Sequence, residues 1–220
     1  MAVVTEHTTK IHTVTGGGGL QLHVREWGNA GGPPILFIHG WSQNHLCWAR
    51  QYKSALTDEF RLVAYDLRGH GMSEAPLEPE HYTDGRLWAD DVAAIIAQLR
   101  LDQPVLVGWS YGAFVICDYV RRHGQDGIAA IEFVEGVVKL GEAAFGTLIG
   151  PGFLDHIAHA TADDLPTNIW AMRSFVKACL TKPLPAAEAS WYEGVGHTPF
   201  LEQPERFNRE LADLTRRARI

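Results

Sequence analysis

Hydrophobic residues follow two different periods along the chain, and each period predicts a different kind of element. Polar and apolar residues alternate over residues 11–15 and 20–27, on either side of four consecutive glycines. This alternation predicts an antiparallel hairpin with one solvated face. Further along, four short and nearly continuous apolar runs are typical of parallel strands covered on both faces. These runs are residues 34–38, 61–65, 104–107 and 128–134.

Apolar residues at helical spacing occupy the intervals between these runs. The spacing predicts helices over residues 84–99, 111–122 and 205–218, the last with Pro204 near its first turn. The order strand, helix, strand implies right-handed crossovers. The sequence therefore predicts the α/β class, with a mostly parallel sheet, an N-terminal antiparallel hairpin and helices on both faces.

The length of 220 residues suits one domain with one core, so we expect a single domain over residues 1–220. Residues 139–184 differ from the rest. Glycine and proline break the first half of this segment, and helical spacing returns over residues 162–180. We expect this segment to form a short helical lid or crossover.

Composition and charge narrow the classes of function. Hydrophobic residues make up 46% and charged residues 20%, which is ordinary for a globular protein. The net charge of -7, without a dense cluster of lysine and arginine, argues against a nucleic-acid partner. No apolar stretch reaches the ~18 residues that a membrane span needs, and the N-terminus lacks a basic region followed by an apolar one. We therefore expect a cytoplasmic protein without a membrane span.

The three cysteines, Cys47, Cys117 and Cys179, are scattered along the chain. Their odd number argues against a disulfide framework, and their spacing is not that of a zinc site. The sequence predicts no metal site and no cofactor.

A serine between two glycines marks the junction of a predicted strand and helix, in the stretch Gly108-Trp-Ser-Tyr-Gly112. A residue at so sharp a turn is forced into an unfavourable backbone conformation, and small residues two positions before and after it relieve the crowding. The turn raises the hydroxyl of Ser110 above the sheet, in front of the N-terminus of the following helix. The pattern predicts that Ser110 is a nucleophile.

A serine nucleophile needs a base, and His197 is the best placed of the eleven histidines. It lies on a loop with two glycines, before the last helix, and follows the serine in chain order as in known hydrolases. Two backbone N–H groups are expected to form an oxyanion hole. One belongs to Tyr111, and the other belongs to Trp41 in the loop after the strand that ends at Ile38.

Four motifs together resemble the α/β-hydrolase fold family, near its esterases and cofactor-free haloperoxidases. They are His39-Gly-Trp41, Tyr65-Asp-Leu-Arg-Gly-His-Gly-Met-Ser73, Gly108-Trp-Ser-Tyr-Gly112 and the stretch from Gly194 to Phe207. The resemblance covers residues 10–145 and 188–217, in the order of the family. It implies a serine hydrolase that cleaves carboxylic esters, and it permits perhydrolysis as a side reaction.

The acid of the catalytic triad is missing from its usual place. Family members carry an aspartate after a seventh strand, but here ten residues separate Leu180 from Trp191, too few for a strand and a crossover. The resemblance to dehalogenases points instead to the end of the sixth strand. It ranks Glu132 first and Glu135 second. Helix capping explains Asp163 and Asp164, and the absence of any acid is the remaining alternative.

Several aromatic side chains and one methionine are candidate walls of an apolar pocket for a small or medium acyl group. They are Trp41, Trp109, Tyr111, Phe153, Trp170 and Met172. The rival hypothesis is a degenerate hydrolase that binds a small molecule with little or no turnover, because one strand of the family pattern is missing. The shortened sheet also leaves a homo-oligomer open as an expectation.

Overall fold

A computed structural model of the chain describes residues 9–136, 190, 192, 195 and 197–219. The chain divides into two compact units, residues 1–138 with 203–220 and residues 139–202. The predicted lid or crossover at residues 139–184 lies outside the described residues. Ser190 and Tyr192 are described, and neither lies in a strand.

The described part of the first unit contains one sheet in the order β1-β2-β4-β3-β5-β6. Its strands are β1 (Lys10–Thr15), β2 (Gln21–Gly28), β3 (Pro34–Ile38), β4 (Arg61–Tyr65), β5 (Val105–Trp109) and β6 (Ala130–Val134). β2 pairs antiparallel with both β1 and β4, and all other pairs are parallel. The predicted hairpin and parallel strands are thus confirmed.

Helices connect the strands. They are α1 (Ala49–Tyr52), α2 (Leu56–Glu59), α3 (Glu80–Thr83), α4 (Gly85–Gln98), α5 (Tyr111–His123) and α7 (Pro204–Arg217) in the first unit, and α6 (Pro199–Glu202) in the second. Two 3-10 helices cover Gly17–Gly19 and His45–Trp48. The three long helices were predicted. The short ones were not, because a single turn carries no readable period.

The main hydrophobic core lies between the sheet and the pair α4 and α5. Buried side chains of alternate strand positions, such as Leu36 and Leu106, meet Val92 and Ile95 of α4. On the opposite face of the sheet, the ring of Phe37 packs against that of Trp48, with centroids 4.9 Å apart. Both faces of the central strands are therefore buried, as their continuous apolar runs predict.

The glycine run has a structural cause. The N–H of Gly17 donates to Asp91 Oδ1 at 2.8 Å, and a Cβ on Gly17 would lie 2.4 Å from the carbonyl oxygen of Leu87. Arg68 donates to both oxygens of Asp91, at 2.7 and 2.8 Å, and both side chains are fully buried. The hairpin turn is thus fixed to α4 by the bond from Gly17 to Asp91, and the bidentate pair with Arg68 holds that carboxylate. No helix among the described residues is long and apolar enough to cross a membrane.

Candidate functional site

Ser110 occupies a strained turn between β5 and α5. Its backbone angles are φ 54° and ψ −116°, a conformation that residues other than glycine rarely adopt. Two backbone bonds hold it there. The Ser110 N–H donates to the carbonyl oxygen of Val134 in β6 at 3.0 Å, and the Ala113 N–H donates to the Ser110 carbonyl at 3.1 Å.

The two flanking glycines permit this turn because their neighbours leave no room for a side chain. A Cβ on Gly108 would lie 2.6 Å from Cδ1 of Ile116 and 2.8 Å from the Ala113 nitrogen. A Cβ on Gly112 would lie 2.2 Å from the carbonyl oxygen of Ile38. The start of α5 therefore presses directly against the ends of β5 and β3.

The start of α5 also offers electrostatic stabilisation. Ser110 is the residue before the first turn of this 13-residue helix, and its side chain does not cap the helix. The hydroxyl is therefore not used in capping, and the N–H of Tyr111 belongs to the positive end of the helix dipole. A negative charge that develops beside Ser110 would be stabilised there.

The loop after β3 passes directly beside the serine. A Cβ on Gly40 would lie 3.1 Å from Cβ of Ser110 and 3.2 Å from the ring of Trp109. Trp41, the predicted second oxyanion donor, is the next residue and is half-buried. Trp109 is buried. Gly40 is small enough to let the loop approach Ser110 this closely.

Two histidines hold this loop. His39 Nδ1 lies 2.7 Å from the Gly40 carbonyl oxygen and so donates, while its Nε2 accepts from the Leu67 N–H at 3.0 Å. Burial lowers the pKa of His39 to about 4, so the ring is neutral at pH 7. Ser42 has φ 58°, and its N–H donates to Nε2 of His70 at 3.2 Å.

Neither histidine was singled out from the sequence. Their position in the sequence could have indicated them, because each histidine lies in a motif that follows a parallel strand. The two motifs therefore lie at the same edge of the sheet. His39 follows β3 directly, and His70 lies five residues after the end of β4. Together they fix the backbone on both sides of Trp41.

Glu132, the first-ranked candidate acid, lies in the middle of β6. It pairs with Val107 of β5, and paired residues of parallel strands point to the same face of the sheet. This face is the one turned away from α4 and α5. Its Oε2 is buried and has no hydrogen-bond partner among the described residues. Burial, and then the charge of Glu210 on α7, raise the pKa of Glu132 to about 8.

Glu135, the second candidate, is the first residue after β6. It has φ 43° and is exposed. It directly follows Val134, whose carbonyl accepts the Ser110 N–H at 3.0 Å. The chain connectivity thus puts Glu135 at the same edge of the sheet as the serine turn.

His197, the predicted base, belongs to the second unit. It is half-buried, two residues before α6, and burial lowers its pKa to about 4. The ring is therefore neutral at pH 7. Its pairing with Ser110 stays a prediction. Phe153, Asp163, Asp164, Trp170 and Met172 lie outside the described residues.

A cavity of about 600 Å³ opens beside the first turn of α4 and runs along α5 from Tyr111 to Arg122. Its aromatic walls are Tyr82, Trp88, Tyr111 and Phe114, and its polar rim includes Asp84 and Arg121. The rings of Trp88 and Tyr111 meet edge to face at 5.4 Å. Of the predicted pocket residues that the structure describes, Tyr111 lines this cavity, whereas Trp41 and Trp109 do not. Tyr82, Trp88 and Phe114 were not predicted as pocket residues.

Comparison with known proteins places this geometry in a family. The sequence profile of the alpha/beta hydrolase fold matches residues 33–151. A bifunctional esterase/perhydrolase from Acinetobacter calcoaceticus is 35% identical over 164 residues, which are 73% of this chain and 55% of that protein. A non-heme haloperoxidase from Rhodococcus erythropolis is 35% identical over 127 residues, 58% of this chain and 44% of its own length.

Solved structures agree. A Burkholderia cenocepacia protein assigned as an aryl esterase superposes with a TM-score of 0.82 at 32% identity, over 95% of this chain and 99% of that one. The esterase RhEst1 from Rhodococcus gives a TM-score of 0.71 at 31% identity, over 93% of this chain and 68% of that one. The chain spans about half the length of the curated relatives it matches.

Proposed function

Because the chain belongs to the α/β-hydrolase fold family, we propose that it is a serine hydrolase that cleaves carboxylic esters of small to medium acyl chain through an acyl-enzyme. The observation that carries the proposal is the strained backbone of Ser110, with φ 54° at the end of β5 and its hydroxyl not used to cap α5. A strained conformation that the surrounding contacts enforce is typical of functional sites.

In the proposed reaction, Ser110 Oγ attacks the ester carbonyl carbon, and its proton passes to the imidazole of His197. The Tyr111 and Trp41 N–H groups bind the oxyanion of the tetrahedral intermediate. When this intermediate collapses, the C–O bond to the alcohol breaks and the imidazolium protonates the leaving oxygen. Water then attacks the acyl-enzyme by the same steps and releases the acid.

Two observations support His197 and the loop of Trp41 in these roles. The imidazole of His197 is neutral at pH 7, as a general base must be, but its pKa of about 4 makes it a weak base until a carboxylate stabilises its protonated form. The close approach of Gly40 to Ser110 and the bonds from His39 and His70 keep the loop in a fixed position. An oxyanion hole stabilises the transition state most when its donors are already in place.

We further propose Glu135, rather than Glu132, as the acid that orients His197. Glu132 lies three residues before Glu135, which corresponds to ~10 Å along a strand. Its pKa of about 8 would also leave it mostly protonated at neutral pH, where it could not stabilise an imidazolium. Glu135 is the residue next to Val134, which binds the serine backbone.

The proposed substrate class rests on the esterase relatives, because the cavity beside Tyr111 does not have Ser110 among its lining residues. Replacement of water by peroxide at the acyl-enzyme would give perhydrolysis, which the name of the Acinetobacter relative includes.

The test is hydrolysis of a series of short-chain aryl esters by the full chain and by Ser110→Ala. We expect wild-type turnover and a loss of at least ~1000-fold in the variant. Ser190→Ala, which removes an exposed serine hydroxyl, is the matched control and should leave kcat unchanged. A fluorophosphonate should label the wild type and the control, but not Ser110→Ala.

Two outcomes would contradict the proposal. If Ser110→Ala retains wild-type turnover, the hydrolysis does not depend on this serine. If the folded wild type neither turns over any ester nor reacts with the fluorophosphonate, the chain is better explained as a protein that binds a small molecule without catalysis.

A further inference from the structure

His23, His45 and Asp66 form a cluster of metal-ligating side chains outside the proposed catalytic residues. One ligand atom from each lies within 4.8 Å of the others. The three side chains come from separate elements: His23 from β2, His45 from the 3-10 helix after β3, and Asp66 from the residue after β4. Because they are far apart in sequence, no spacing motif indicated them.

The strongest sign of a ligand is an unsatisfied atom. Nε2 of His23 is buried and has no hydrogen-bond partner among the described residues. Leaving a buried polar atom without a partner costs free energy, and such atoms are rare unless they serve a purpose. A metal ion would satisfy this lone pair.

The backbone has already fixed the carboxylate. Asp66 Oδ1 accepts the His45 N–H at 2.7 Å, and Oδ2 accepts the Met72 N–H at 2.9 Å. The Asp66 N–H in turn donates to the His23 carbonyl at 2.9 Å. A backbone hydrogen bond therefore joins His23 to Asp66. His45 is joined to Asp66 through its own N–H, which donates to the carboxylate.

His45 completes the set. Its Nδ1 lies 2.7 Å from Asp66 Oδ1, and the centroids of the two imidazoles are 5.3 Å apart. His45 and Asp66 are buried, while His23 is half-buried. The cluster thus lies below the surface, and His23 is its most exposed member.

We propose that His23, His45 and Asp66 bind one divalent transition-metal ion. Two imidazole nitrogens and one carboxylate oxygen are a donor set for zinc and its neighbours, whereas calcium and magnesium prefer oxygen ligands alone. The ion would join β2, the 3-10 helix and the segment after β4, and so stabilise the folded chain. Water would fill the remaining coordination positions.

The test is titration of metal-free full-length chain with Zn²⁺ by calorimetry, and with Co²⁺ by absorption spectroscopy. We expect one equivalent to bind, with d–d bands typical of nitrogen and oxygen ligands. The melting temperature should rise by about 5 °C or more at a hundredfold excess over Kd. His23→Gln should weaken the affinity at least ~10-fold, since it removes a ligand and leaves the His45–Asp66 bond intact.

Two other histidines provide matched controls. His12 Nε2 lies 3.0 Å from Glu26 Oε2, and His123 Nε2 lies 2.9 Å from Asp90 Oδ1, so each is a single imidazole beside a carboxylate. His12→Gln and His123→Gln should leave the affinity unchanged. If His23→Gln does not fold, His23→Phe tests the same loss of the ligand.

The proposal is overturned if the metal-free wild type binds no stoichiometric Zn²⁺. It is also overturned if folded His23→Gln or His23→Phe binds Zn²⁺ as tightly as the wild type, since the ion would then sit elsewhere. None of these outcomes bears on ester hydrolysis, which does not depend on this cluster.

Discussion

The serine turn and the end of β6 are neighbours, but their polar groups are satisfied very differently. The Ser110 N–H donates to the Val134 carbonyl, so the two segments share a hydrogen bond of 3.0 Å. In the turn, the neighbours of Gly108 and Gly112 leave no room for a side chain. In β6, a carboxyl oxygen of Glu132 is buried without a partner among the described residues.

This difference separates two kinds of constraint on a site. A Cβ added at Gly108 or Gly112 would lie within 3 Å of backbone atoms, so the turn around Ser110 has no room for a side chain at either position. The position of a glutamate carboxylate is limited by the length of its side chain, so either of two neighbouring glutamates can be the acid that orients the histidine. The turn should therefore tolerate almost no substitution. Of Glu132 and Glu135, one should be essential for catalysis and the other replaceable.

Of the two glutamates, Glu135 should have the larger effect on catalysis when its charge is removed. If Glu135 orients His197, Glu135→Gln should lower kcat at least ~100-fold with little change in KM, because the uncharged amide no longer stabilises the imidazolium. The measurement is steady-state hydrolysis of a short-chain aryl ester at neutral pH.

Glu132→Gln is the matched comparison, since it makes the same change three residues away in the same chain segment. Its kcat should stay within about threefold of wild type. The opposite result, with a large loss in Glu132→Gln and none in Glu135→Gln, would restore Glu132 as the acid. Small and equal losses would leave β6 without a catalytic carboxylate.

In the serine turn, Gly112→Ala tests the steric constraint. The new Cβ would lie 2.2 Å from the Ile38 carbonyl oxygen, so β3 and α5 must separate. We expect a loss of about 3 kcal/mol in the free energy of unfolding, at the upper end of the cost of overpacking. Urea denaturation measures it.

Gly31→Ala is the control for the loss of a glycine. Its Cβ would have its nearest neighbour at 3.6 Å, which is ordinary van der Waals contact. It should change the unfolding free energy by less than about 0.5 kcal/mol, as surface substitutions usually do. Equal stabilities for the two variants would show that the start of α5 can shift without cost.

The part of the site that could be predicted from sequence is the part that local contacts dictate. The Gly-x-Ser-x-Gly pattern predicted a sharp turn, and Ser110 has the φ of 54° that such a turn requires. The hairpin and the parallel strands were predicted because one-sided and two-sided burial give different hydrophobic periods. Each of these signals is contained in fewer than ~20 neighbouring residues.

Features that depend on distant residues could not be predicted. The raised pKa of Glu132 depends on Glu210, which lies on α7 near the other end of the chain. Nε2 of His23, which has no hydrogen-bond partner among the described residues, comes close to His45 and Asp66 only when β2 pairs with β4. Nothing in the local sequence of Glu132 or His23 indicates which side chain will lie opposite it.

The buried carboxyl of Glu132 should also make stability depend on pH. Its pKa is about 8 in the folded chain, against an ordinary value of 4.5. Below pH 4.5 the group is protonated in both states, so its contribution to stability is fully present. As the pH rises towards 8, the unfolded chain has released a proton that the folded chain still holds, and the free energy of unfolding falls.

Glu132→Gln removes this titration but keeps the size of the side chain. Melting temperatures of the two proteins should therefore diverge between pH 5 and 8, the window that follows from this pKa, with the variant more stable by several degrees at the upper end. Other titrating groups are common to both proteins and cancel in the difference. Glu205→Gln, which removes an exposed carboxylate from α7, should follow the wild type throughout. Parallel pH profiles for wild type and Glu132→Gln would mean that Glu132 is ionised in the folded chain, and would remove one of the two reasons to prefer Glu135 as the acid.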